Sequence, residues 1–173
     1  MFKKKDEKNK RINADDFMSA IVQMAINEVE YMESLLRMNN LSCEFERLIA
    51  STFAYYFSVW LAYIEKNEQL TYNIIKEKME YVAKGLITDN CNENNKNKDA
   101  YIEVFNNNFS SGIIEAKSSI NGDTFYDKGF TDKYLISVIG MQNASNVKAQ
   151  VQIRILQYWV KPASEGMKKT NII

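Results

Sequence analysis

Residues 48–64 read LIASTFAYYFSVWLAYI, seventeen consecutive positions without a charge. On a helix, Phe45, Ile49, Phe53, Tyr56, Phe57, Trp60 and Ile64 form one stripe, while Leu48, Tyr55, Val59 and Ala62 fill the opposite side. A helix that is apolar nearly all round is either the centre of a bundle or a membrane span. Spanning takes about 20 apolar residues; this run is shorter and carries Ser51, Thr52, Ser58 and three tyrosines. The segment therefore reads as a buried helix over residues 42–66, capped by Ser42, with Glu44 and Glu46 in its first turn. Entry of residues 48–64 into a bilayer is the alternative.

The flanking sequence supplies partners for such a helix. Upstream, Met18, Ile21, Val22, Ala25, Val29, Met32 and Leu36 recur at steps of three and four, predicting a helix from Asn13 to about Arg37. Downstream, Leu70, Ile74, Ile75, Met79, Val82 and Leu86 predict a third helix with those residues inward, and residues 88–98 (TDNCNENNKNK) read as a surface loop. Asp99 opens a fourth helix with Tyr101 or Ile102, Phe105, Phe109, Ile113 and Ala116 at helical spacing; Ser110-Ser111-Gly112 weakens it in the middle and predicts a kink. Residues 121–130 carry turn signals, and a last helix runs from Thr131 toward Val160, stopped by Pro162.

That last segment fits two templates. Residues 147–155 (VKAQVQIRI) alternate apolar and polar, the mark of a half-buried strand. A helix instead aligns Leu135, Ile139, Ala149, Ile153, Leu156 and Val160 on one face, marred by Asn146. The fold expected is all-α, about five helices round the central one; the alternative is α+β with a small C-terminal antiparallel sheet. One domain covers residues 13–165, with a mobile basic tail at 1–12 and a frayed end at 166–173.

Composition narrows the chemistry. At 173 residues and 20.1 kDa, with 46% hydrophobic and 25% charged residues, the chain is an ordinary globular one. It contains no histidine, which excludes Ser-His-Asp and Cys-His catalysis and imidazole metal ligands. Lys (18), Asn (19) and Ile (18) abound while Arg occurs 4 times, the codon signature of an AT-rich genome. Lys plus Arg equals Asp plus Glu at 22 each. The only basic cluster lies in residues 1–12, so no nucleic-acid partner is expected. Neither GxGxxG nor GxxxxGK[ST] occurs, and no cofactor is expected. The two cysteines, Cys43 and Cys91, lack metal spacing and read as reduced thiols of a cytoplasmic protein. Cys43 falls at a helix N-terminus, a position that lowers a thiol pKa. The acidic residues after Lys3-Lys4-Lys5 speak against a secretion signal.

Two constellations remain. Glu30 with Glu33, and Glu77 with Glu80, are i, i+3 pairs that two facing helices would turn into a Mg²⁺ site for a hydrolase of nucleotide-like substrates. Tyr55, Tyr158 and Trp159 are interface candidates, because Tyr and Trp bury large area at small entropic cost. A non-catalytic protein–protein interaction module, partnered by another protein or by itself as a homodimer, is the leading functional expectation.

Overall fold

In the computed structural model, which describes residues 10–67, 71–122 and 124–173, the chain is an all-α bundle. The central helix is α2 (Phe45–Asn67), and every residue from 48 to 64 is buried. Three of its short polar side chains find partners inside. Ser58 donates to the Ala54 carbonyl at 2.7 Å, the Thr52 and Tyr134 hydroxyls meet at 2.9 Å, and Asn108 donates to Ser51 at 3.1 Å. Among the described residues no helix is long and apolar enough to cross a membrane.

Helix α1 (Ala14–Met38) begins at the N-cap Asn13, whose side chain accepts from the Asp16 N–H. Helix α3 (Tyr72–Glu93) flanks α2 on another side. It overruns the expected loop at 88–98, which shrinks to the residues before α4, because Ile87 and Cys91 extend its buried face by another turn. The inward residues are Ile75, Met79, Ala83, Ile87 and Cys91, a strict i, i+4 series. Ile74 and Val82 are thereby turned away from the core, contrary to expectation, while Leu86 is partly buried against it; Leu70 lies outside the described residues.

Helix α4 (Lys98–Ser119), capped by the Asn97 side chain, continues as α-helix through Gly112. The glycine serves packing. A Cβ there would lie 2.6 Å from Ser58 Oγ, so only glycine lets α4 approach α2 this closely. The strands β2 (Ile120–Asn121) and β3 (Thr124–Phe125) form a minimal antiparallel ladder after it.

The expected last helix is several. Helix α5 (Phe130–Ile139) ends at Gly140, whose φ of 77° and ψ of 164° lie in a region essentially confined to glycine. Helix α6 (Met141–Arg154) passes into a π-helical stretch (Ile155–Val160) and then α7 (Lys161–Lys169). Residues 147–155 are therefore helix, and the C-terminal antiparallel sheet does not form. Pro162 does not stop the helix either: it sits in the first turn of α7, where a missing N–H is tolerated. The end is ordered rather than frayed, because β4 (Thr170–Ile172) pairs in parallel with β1 (Lys10–Ile12) and Ile172 is buried. Of the expected basic tail, residues 10–12 are thus a strand; residues 1–9 lie outside the described residues.

Candidate functional site

Helices α1 and α3 both pack on α2 and on each other. Along the line where they meet, two neighbouring hollows make up a trough. At one end Met18 and Val22 of α1 face Ile74, Tyr81 and Val82 of α3 round a hollow of about 590 Å³. One turn further on, Ile26 and Val29 face Leu86 round a second hollow of about 290 Å³, floored by Phe45, Ile49 and Phe53 of α2. From Asp15 to Glu30 the α1 wall is about 22 Å long at 1.5 Å per residue. Tyr81 is 81% exposed and Ile74 54% exposed, so the lip of the trough is apolar as well as its floor.

The rim is acidic. Asp15, Glu30, Glu77, Asp89 and Glu93 line the two hollows against one base, Lys78. Lys78 is held by Asp15 at 2.7 Å across the mouth. Glu30, Glu77, Asp89 and Glu93 make no ion pair among the described residues. Four carboxylates beside an apolar channel give a negative potential that attracts cationic groups.

The paired-glutamate constellation is not assembled. Glu30 and Glu77 line different hollows of the trough. Glu33 points to a groove at the far end of α1 and pairs with Arg37, while Glu80 sits between Lys76 and Lys84 on the α4 side of α3. On a helix, i and i+3 residues diverge by about 60°, enough here to send each pair into separate surfaces. Among the described residues no group of three or more acidic or cysteine side chains is placed to hold a metal ion.

The aromatic candidates divide. Tyr55 is taken up inside, edge-on to Phe130 and beside Tyr134, and Trp159 is fully buried between Tyr56 and Tyr134. Tyr158 alone is exposed, at 48%. No known family, curated protein or solved structure matches the chain.

Beside Tyr158 lies a cluster that no sequence pattern marks. Arg154 donates to both Glu28 oxygens, at 2.8 and 2.7 Å, and the Trp159 indole N–H donates to the same carboxylate at 2.9 Å. The guanidinium is stacked between the rings of Tyr31 and Tyr158, at 4.0 and 3.7 Å from their centroids. Glu28 is 4% exposed, so this is a buried, charge-assisted, bidentate pair that fixes the π-helical stretch to α1. Burial also pushes the Tyr134 and Tyr56 phenols upward, and both stay neutral. The Cys43 thiol departs from expectation: burial, then the Glu33 carboxylate, raise it to about 11. It precedes the first residue of α2, and burial together with the Glu33 and Glu44 carboxylates outweighs any help from the helix dipole.

Proposed function

We propose that the chain is a non-catalytic docking module whose α1–α3 trough receives an amphipathic helix carrying basic flanks. The observation that supports this most is the pairing of an apolar floor with an acidic rim along about four helical turns. Helix-in-groove recognition places residues at i, i+3/i+4 and i+7 into such a channel, and lysines beside that apolar edge meet the rim carboxylates. The rim contributes orientation and association rate more than affinity, and the exposed lip residues Tyr81 and Ile74 supply the contact area. Tyrosine is a favoured anchor in this role.

Fluorescence anisotropy with two labelled helical peptides tests the reading. Both carry the same leucine stripe; one has lysine flanks and the other glutamate flanks. Tighter binding of the lysine-flanked peptide is expected, weakening as salt is raised, and at least tenfold weaker in Leu86→Asp. Equal binding of both peptides, or an unchanged affinity in Leu86→Asp, refutes it.

A further inference from the structure

Resting on that reading, we infer that the trough's occupant is a second copy of this chain, which presents the outer face of its own α6–π segment. Ile153 is 55% exposed, Leu156 37% and Tyr158 48%, and together with Lys161 they make a basic-ended apolar stripe on a helix. The π-helical stretch creates the broad part of it. Ile155, Trp159 and Val160 face the core, and the wide π turn leaves Leu156, Gln157 and Tyr158 consecutive on the outside.

Charge matches the two surfaces. Residues 141–173 carry five basic groups and one acidic group, Glu165. Lys148 is paired with Asp132 and Arg154 with Glu28, while Lys161, at the end of the stripe, makes no ion pair among the described residues. The trough presents Glu30, Glu77, Asp89 and Glu93, none of which makes an ion pair among the described residues, against the single base Lys78, which Asp15 holds. The stripe is also presented rigidly, because the Glu28 carboxylate holds Arg154 and Trp159, and Arg154 in turn carries the Tyr158 ring. A preorganised face loses little entropy on docking.

A chain cannot fill its own trough with this stripe. Glu28 and Tyr31 put one flank of α1 against the π-helical stretch, while Met18, Val22 and Ile26 on its other flank form the trough wall. Helix α1 stands between the two surfaces. The contact is therefore between copies and joins unlike surfaces, stripe to trough, so each added copy leaves one trough and one stripe open.

Light scattering after size exclusion, on the full chain, tests this. The wild type is expected to rise above 20.1 kDa with concentration and to fall back in high salt. Tyr81→Asp spoils only the trough and Leu156→Asp only the stripe; both positions are exposed, and circular dichroism checks that both variants fold. Each alone is expected to stay monomeric, and their equimolar mixture to form a dimer of twice the chain mass and nothing larger. A wild type that is monomeric throughout, or a mixture that stays monomeric while the wild type associates, overturns the inference. If the lysine-flanked peptide still binds in either case, the trough reading stands and only the self-docking fails.

Discussion

Replacing Arg154 by methionine keeps most of the side chain's volume and removes the guanidinium. Glu28, 4% exposed, then retains one donor, the Trp159 indole N–H at 2.9 Å, in place of three. Stranding one member of a buried pair costs about 3–5 kcal/mol; Arg154 keeps 18% of its side chain exposed, which favours the lower end. Glu28→Gln preserves the shape and keeps one oxygen to accept from Trp159. Its NH2 then faces an Arg154 N–H, and the guanidinium, which keeps some contact with water, loses its counter-ion, a loss of about 1.5–3 kcal/mol. In the double variant no charge is stranded, and the cost is about 1–2 kcal/mol, less than either single loss added to the other. With a urea m-value of about 2 kcal/mol/M, Arg154→Met is expected to lower the unfolding midpoint by roughly 1.5–2 M. Equilibrium urea unfolding followed by tryptophan fluorescence reads all three variants. A loss under about 1 kcal/mol in Arg154→Met, or strictly additive single losses, refutes the view that this pair anchors the π-helical stretch.

Gly112→Ala places a methyl 2.6 Å from Ser58 Oγ. Overpacking of about 1–3 kcal/mol outweighs the roughly 1 kcal/mol gain in helix propensity, so a lower melting temperature is expected, with most of it restored by Ser58→Ala; a stabilised single variant refutes the close-approach argument. Cys43, raised to about 11 from an ordinary 9.0, holds about one hundredth of the usual thiolate at pH 8. Its alkylation by iodoacetamide is expected to be slowed accordingly and to accelerate about tenfold per pH unit up to pH 10, and a free-thiol rate at pH 8 refutes the assigned environment.

The central helix was legible because its apolar character is indifferent to rotation: whichever way residues 48–64 turn, they need protein around them. Helix α1 was legible for the opposite reason, since one narrow stripe and a capping Asn13 fix both its face and its start. Helix α3 was harder. Ile74 and Ile75 are adjacent, as are Leu86 and Ile87, so the apolar arc is wider than one core-facing stripe and sequence alone does not say which edge is buried. The Glu28–Arg154 pair joins residues 126 apart, beyond the reach of any local pattern. Gly140 stands in the sequence as an isolated glycine, and only its backbone angles show that it divides α5 from α6.

The same ambiguity explains residues 147–155. A period of two contains a period of four: Val147, Val151 and Ile155 are every second member of the alternating series, and they are also i, i+4, i+8 on a helix. The helix buries those three and continues the row with Trp159. Ala149 and Ile153, which a strand would have buried with them, are left on the outside. In α3 the surplus is Ile74 and Val82 in the trough, and in α6 it is Ile153 on the stripe. Both surfaces thus consist of apolar residues in excess of what each helix needs for its own core. Exposed apolar area of this kind costs solubility unless something covers it. A trough and a stripe that arise from the same excess, carry opposite charge and stand on opposite flanks of α1 are each other's simplest cover.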